Sequence, residues 1–319
     1  MSSDAPRPHH GIPPEMLARI RRVEIQARRL VANVFVGQYH SIFKGRGIEF
    51  ADVRPYEPGD DVRTIDWNVT ARMGTPFVKQ YIEERQLTVL LAVDISASSA
   101  VASAGVSKRE LAAEVAATLA FSAVANGDQV GLLAFAGGIE RFVAPAKGRQ
   151  HVLRLIRDLL YLEPSRPGTD IGGALAYLAR IARRRAIVFL LSDFYDEGYE
   201  RQLRAAALRH ELLPVSLNDP RDAALPDGGL VTLRDLESGQ TVVLDTSSRR
   251  VREAYAARAE EMRARRRRIF AAAGADEVEL HTDRPFVPAL VRAFRQRERS
   301  GRRPVPGSAT AVEARRTAV

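Results

Sequence analysis

Two aspartates and three hydroxyls hold positions from which they could do chemistry. The apolar run LTVLLAVD leads into Asp94-Ile95-Ser96-Ala97-Ser98, and AIVFLLSD ends in Ser192-Asp193. Between them, the loop Pro167-Gly168-Thr169-Asp170 opens a helical stretch. Short continuous apolar runs are typical of strands buried on both faces, and in open parallel sheets ligands gather beyond the carboxyl ends of the strands. Asp94, Ser96, Ser98, Thr169 and Asp193 are therefore expected at one edge of a sheet. Hard oxygen donors without His or Cys suit Mg²⁺ or Mn²⁺ rather than zinc. Two carboxylates balance the 2+ charge, while hydroxyls donate to them and lend lone pairs to the ion. Such a set leaves an octahedral position for water or an incoming carboxylate. The plainer alternative is that Asp94 and Ser96 are ordinary turn formers.

Other chemistries fit these residues less well. A dinucleotide site needs G-x-G-x-x-G after the first strand, and DISASS stands there instead. No phosphate-binding G-x-x-x-x-G-K-[ST] loop occurs. Aspartyl phosphotransferases of the haloacid type want Asp-x-Asp at this turn, and Ser96 fills the place of the second Asp. A nucleophilic Ser96 would need a His base, and His9, His10, His40, His151, His210 and His281 form no convincing triad order. The chain is expected not to be an enzyme, with a metal-dependent phosphoester hydrolase as the weaker alternative.

The elements that would carry these residues alternate. Helical spacing of Met16, Ile20, Val23, Ala27, Leu30 and Val34 predicts a helix over 14–36. Asp60 or Asp61 is expected to cap a short helix carrying Ile65, Trp67 and Val69, which Gly74 ends. After LTVLLAVD, Ser107 and Glu110 form a capping box, Leu111, Val115 and Leu119 line one helix face, and Asn126-Gly127 ends it. Strands follow at QVGLLAF, IERFVAP, AIVFLLSD, LLPVSLND and VELHT, with helices near 148–160, 170–184, 197–210, 247–273 and 286–298 and a hairpin near 230–245. The expected fold is α/β: a doubly wound, mostly parallel sheet over residues 87–298, with an N-terminal helical and irregular segment over 14–86. The polar, Pro-rich ends, 1–13 and 299–319, are expected to be disordered.

Composition narrows the setting. The 319 residues include no Cys, which removes disulfides and zinc–thiolate sites. No run approaches the roughly 20 apolar residues of a membrane helix, and the N-terminus shows no apolar signal core. A cytoplasmic location is expected. The net charge of +9 comes largely from Arg, without the interleaved aromatics of a single-strand binder, so no specific nucleic acid is expected. The predicted helix over 247–273 has an apolar stripe of Val251, Tyr255, Ala259, Met262 and Ile269. Its Arg252, Arg263, Arg265 and Arg267 are expected to face outward, where an acidic partner or a lipid headgroup could meet them.

The set Asp94-x-Ser96-x-Ser98, Thr169, Asp193 resembles the metal-ion-dependent adhesion site (MIDAS) of von Willebrand factor A (VWFA) domains. The resemblance implies that hydroxyls touch the ion, that the Asp residues act directly or through water, and that a partner's Asp or Glu completes the shell. Upstream, GRGIEFADVRPYEPGDDVRTIDWNVTAR is very similar to the signature of the bacterial domain-of-unknown-function family fifty-eight (DUF58), through Gly47, Glu49, Phe50, Asp52, Arg54, Tyr56, Gly59, Asp60, Asp61, Arg63, Asp66, Trp67 and Arg72. That resemblance covers roughly residues 15–300. It implies an A-type domain working as an adaptor beside a MoxR-type AAA+ ATPase, in the maturation or activation of protein complexes. Within the signature, alternating charges read first as an ion-paired lattice with Tyr56 and Trp67 as packing anchors. The second reading is a partner-docking face of Asp52, Arg54, Asp60, Asp61, Arg63, Asp66, Trp67 and Arg72. A scaffold with an idle metal site, docking through charged surfaces, is the main alternative to the metal-dependent adaptor.

Overall fold

The computed structural model describes residues 13–32, 52–62, 65–80, 86–100, 102–103, 105–234 and 239–299. The chain begins with helix α1 (Pro14–Leu30), then β1 (Asp52–Pro55), α2 (Trp67–Met73) and β2 (Phe77–Gln80). Strand β3 (Thr88–Asp94), helix α3 (Lys108–Ala125), β4 (Gln129–Phe135) and β5 (Ile139–Ala146) follow. Next come α4 (Arg149–Tyr161), α5 (Ile171–Ile181), β6 (Ile187–Ser192), α6 (Glu200–Arg209) and β7 (Glu211–Asn218). The short α7 (Pro220–Ala223), the hairpin β8 (Leu230–Arg234) and β9 (Thr241–Asp245), the long α8 (Arg249–Ala273), β10 (Val278–His281) and α9 (Val287–Arg299) complete it. Residues 33–36 of the expected first helix and most of both terminal segments lie outside the described residues.

Six strands form one sheet in the order β10-β7-β6-β3-β4-β5, parallel throughout except for β5, which pairs antiparallel with β4 at the edge. The apolar runs predict this burial, because helices cover both faces. Along β3 the side chains alternate between two cores. Val89, Leu91 and Val93 join residues of α1, α3, α4 and α9, while Leu90 and Ala92 join those of α5, α6 and α8. Truncating Leu91, fully buried, to Ala would cost about 2–5 kcal/mol.

Helix α3 is anchored where the capping box predicts. Ser107 Oγ accepts from Glu110 N at 3.1 Å, and Glu110 Oε2 accepts from Ser107 N at 2.9 Å. Its small Ala112, Ala113, Ala116, Ala117, Ala120 and Ala123 are all buried, since the helix lies between the sheet and α1 with α4. Helix α1 buries Ile20, Val23 and Ala27 in that core. It is tied further by Arg19 to Glu110 and by buried Glu24, which accepts from Arg149 Nε at 2.5 Å and Nη2 at 3.0 Å. Among the described residues, no helix is long and apolar enough to cross a membrane.

The short helix α2 starts later than expected. Its cap is Asp66, whose Oδ1 accepts from Asn68 N at 3.0 Å and Val69 N at 3.3 Å, so neither Asp60 nor Asp61 caps it. Ile65, expected on the helix, instead bridges to Val78 of β2. Gly74 does end α2, at φ 76° in the left-handed region that favours glycine.

Candidate metal centre

The parallel register aligns the ends of β3 and β6 at one edge of the sheet. Asp94, the last residue of β3, is 2% exposed. Its Oδ1 accepts from Ser96 N at 2.9 Å, and its Oδ2 accepts from Ser192 Oγ at 2.6 Å. The turn after Asp94 brings Ser96 Oγ within 3.1 Å of Ser98 Oγ. Ser98 Oγ in turn lies 3.5 Å from Asp193 Oδ2. Four of the five expected donors, Asp94, Ser96, Ser98 and Asp193, thus stand in one continuous polar patch.

Thr169 reaches the same edge by its neighbours. Asp170 N donates to Ala136 O, just past β4, at 2.8 Å, and Ile171 N donates to Asp196 Oδ2, just past β6, at 2.8 Å. Gly137 permits this close passage: a Cβ there would stand 2.0 Å from the Pro167 carbonyl oxygen. Thr169 itself is half-buried.

The electrostatics of the patch suit a cation. Burial, and then the charge of Asp193, push the Asp94 carboxyl up from its ordinary 3.8 to about 7, against the hydrogen bonds from Ser192 and Ser96. Asp193 is met by the buried ammonium of Lys108, whose Nζ lies 3.0 Å from Asp193 Oδ2 and 2.7 Å from Asp222 Oδ2. Burial alone would lower the pKa of Lys108, but Asp193 and Asp222 outweigh it and hold the group above its ordinary value, fully charged. The donor chemistry also fits. The Ser96–Ser98 oxygen spacing of 3.1 Å is close to the roughly 3.0 Å between neighbouring ligands of octahedral Mg²⁺ with bonds of about 2.1 Å. Among the described residues no three His, Cys, Asp or Glu side chains gather to hold a metal, so a site here would depend on hydroxyls.

The turn that presents Asp193 is unusual in its backbone. Phe194 has φ 61°, in the left-handed region that bulky residues seldom adopt. Its ring is buried edge-on against Phe270 of α8, centroids 4.9 Å apart, which holds the turn in place. Behind it, the buried Arg266 of α8 donates through Nη1 to the Asp193 carbonyl oxygen and through Nη2 to Asn218 Oδ1, both at 3.3 Å, and its Nε lies 2.7 Å from Glu277.

No histidine among the described residues joins the patch. His151 Nε2 meets Val130 O at 2.7 Å near the start of β4, and His210 Nδ1 accepts from Ala186 N at 3.3 Å just before β6, both at the opposite end of the sheet. His281 ends β10, with β7 and β6 between it and β3. His9, His10 and His40 lie outside the described residues.

The signature segment is organised by a few polar contacts. Arg54 grips Asp60 with two hydrogen bonds, 2.7 and 2.6 Å, and Asp60 Oδ2 also accepts from Glu57 N at 2.9 Å. Asp52 begins β1 opposite Gln80 of β2. Asp61 and Arg72 are exposed. Trp67 does not serve as the expected packing anchor: it is 69% exposed, and among the described residues no second layer lies over β1, β2 and α2. Tyr56 is half-buried, with its backbone N donating to Pro76 O at 2.8 Å. Gly47, Glu49, Phe50 and Arg63 lie outside the described residues.

The four arginines singled out on α8 are engaged. Arg252 Nη1 donates to the Thr246 and Ser247 carbonyls at 2.6 and 2.9 Å. Arg265 pairs with Glu197 and Glu200, Arg267 with Glu260 and Glu279, and Arg263 with Glu260. The sequence reading missed two residues at the centre. Ser192 closes on Asp94, and Lys108 neutralises Asp193. A signal for Lys108 existed, since a cation at the first position of a helix opposes the helix dipole.

Comparison with known proteins gives the chain relatives. The family described as "Protein of unknown function DUF58" matches residues 52–265. Uncharacterised proteins of Mycobacterium bovis and Mycobacterium tuberculosis are each 37% identical over 290 residues, 90% of this chain and 91% of theirs. Among solved structures, BatB from Bacteroides thetaiotaomicron aligns at TM-score 0.45 and 19% identity, covering 67% of this chain and 99% of its own. An aerotolerance-related membrane protein from Bacteroides fragilis aligns at 0.44 and 20% identity, covering 67% and 99%. Likenesses of that size carry no argument about function.

Proposed function

The chain belongs to the DUF58 family, and from that premise we propose that it is a non-enzymatic adaptor that grips a protein partner through a bound divalent cation. Asp94, Ser96, Ser98, Thr169 and Asp193 would hold Mg²⁺ or Mn²⁺. The ion would supply a Lewis-acidic anchor for a carboxylate of the partner, and a charge-assisted contact of this kind makes binding metal-dependent. The observation that carries the reading is the convergence of Asp94, Ser96, Ser98 and Asp193 at the carboxyl ends of β3 and β6, with the two serine oxygens 3.1 Å apart. On this reading the α/β sheet is a von Willebrand A-like domain, the partner is a MoxR-type AAA+ ATPase with its client complex, and the location is cytoplasmic.

The residues of this chain have distinct tasks in that scheme. Ser192 and the Ser96 amide orient the Asp94 carboxylate. Phe194, pinned by Phe270, sets the direction of the turn that presents Asp193. The two alternatives draw less support. No His of the described residues stands at the patch, so a hydrolase there would have to use as its general base Asp94 itself, the group that the metal reading gives to the ion. A scaffold recruited through the basic face of α8 would have to compete there with the carbonyl contacts of Arg252 and with the exposed pairs that Arg263, Arg265 and Arg267 make with glutamates.

Calorimetric titration of Mg²⁺ and Mn²⁺, followed by co-purification with a purified MoxR-type ATPase in the presence and absence of EDTA, tests the proposal. One saturable site in the native chain, lost in Asp94→Ala/Ser96→Ala, and a complex that EDTA dissolves are the expected results. A complex indifferent to EDTA would overturn the metal-bridged reading.

A further inference from the structure

Lys108 carries a charge where the fold should disfavour one. It is the first residue of α3, whose free N–H groups and dipole attract anions. Its side chain is 6% exposed, and an ammonium is tolerated at that depth only when it is well paired. The pairing is provided from two separate elements: Asp193 after β6 at 3.0 Å and Asp222 of α7 at 2.7 Å. The Tyr195 ring lies over the ammonium, 5.3 Å from its centroid. Asp222 is itself held in place, since its Oδ2 accepts from Asp219 N at 3.0 Å.

The position of the shared oxygen is decisive. Asp193 Oδ2, which receives Lys108, is the same atom that Ser98 Oγ approaches at 3.5 Å. The Asp193 oxygen that faces Ser98 is therefore already in contact with a resident cation. A cation held through that oxygen would share it with the ammonium, and like charges that close repel one another more where water is scarce.

We propose that Lys108 is a built-in counter-ion that sets the strength of the divalent site: it shares Asp193 with the incoming ion and keeps the chain's own affinity for that ion low. Asp222 works in the opposite direction, by drawing the ammonium outward. The inference rests on the metal-site reading of Asp94, Ser96, Ser98, Thr169 and Asp193. Its functional consequence is that metal and partner bind together. A partner carboxylate supplies the negative charge that Lys108 offsets, so the ion is held loosely by the free chain and firmly in the complex.

Mn²⁺ titrated calorimetrically into the full chain tests this, with Lys108→Gln and Asp222→Asn compared at one pH and ionic strength and circular dichroism recorded for each. Lys108→Gln is expected to bind Mn²⁺ about tenfold tighter or more, and Asp222→Asn several-fold more weakly. A purely structural Lys108 would not produce this opposition of signs, because loss of either partner would then weaken binding. If the native chain binds Mn²⁺ and Lys108→Gln binds it no better, the counter-ion role fails and the metal site stands. If only Lys108→Gln binds, the counter-ion role is supported and the metal-gripping function of the native chain fails. No binding in any of the three overturns both. Should Lys108→Gln not fold, Asp222→Asn decides: binding equal to or tighter than native overturns the proposal.

Discussion

Two regions of this molecule carry clusters of opposite charge, and they differ in depth. At the sheet edge, Asp94, Asp193 and Lys108 are all nearly inaccessible, and their charges meet one another and Ser192 below the surface, with Asp222 at the rim. In the signature segment, Arg54 and Asp60 make a better-aligned, doubly hydrogen-bonded pair, yet water reaches both side chains. Geometry alone would rank the second cluster above the first. Burial reverses the order, because exposed ion pairs are screened and contribute little, whereas a buried charge must be matched or it shifts its protonation.

The contrast can be broken or sharpened by experiment. The largest effect is expected at Asp94: Asp94→Asn, nearly the same shape, should abolish divalent binding, by at least about 100-fold in affinity, since removing even an outer partner of a metal site typically costs about 10–100-fold. Asp60→Asn, measured in the same titration, should leave binding unchanged; a comparable loss there would erase the distinction between the regions. Next in size is Phe270→Ala, which removes the ring that pins Phe194 and should destabilise the chain by about 3–5 kcal/mol in denaturant titration. A cost under about 1 kcal/mol would mean that the Asp193 turn stands without that support.

The third expectation concerns pH. With its pKa raised from 3.8 to about 7, Asp94 binds its proton more tightly in the folded chain than in the unfolded one. Its contribution therefore favours the folded state fully below about pH 4 and is lost as pH rises through about 7. A divalent cation replaces the missing positive charge, so Mg²⁺ should raise the melting temperature more at pH 8 than at pH 5.5. An equal shift at both values would separate metal binding from Asp94. The smallest effect is expected at Trp67, where Trp67→Ala should change stability by no more than about 0.5 kcal/mol.

What the sequence disclosed follows the same division by depth. The strands around β3 and β6 were legible because burial on both faces demands unbroken apolar runs. The Ser107–Glu110 box was legible because capping is local. The positions after those strands pointed to Asp94, Ser96, Ser98 and Asp193 for the same reason. The signature segment was read less well: Trp67 was assigned a packing role that requires a neighbouring layer, and the position of such a layer is not encoded locally. The helix cap there was placed at Asp60 or Asp61 when three acidic candidates lay within seven residues. Lys108 was missed because its partners, Asp193 and Asp222, lie 85 and more residues away in sequence.

Helix α1 has a consequence for synthesis on the ribosome. Its ties are remote, with Arg19 reaching a residue 91 positions later and Glu24 one 125 positions later. At about 5–20 residues per second, the apolar face of Ile20, Val23 and Ala27 waits roughly 6–25 seconds for the helices that will cover it. Over that interval the native packing partners of α1 do not yet exist, and because a helix of this length draws most of its stability from packing, α1 is expected to become firm only once α3 and α4 have been made.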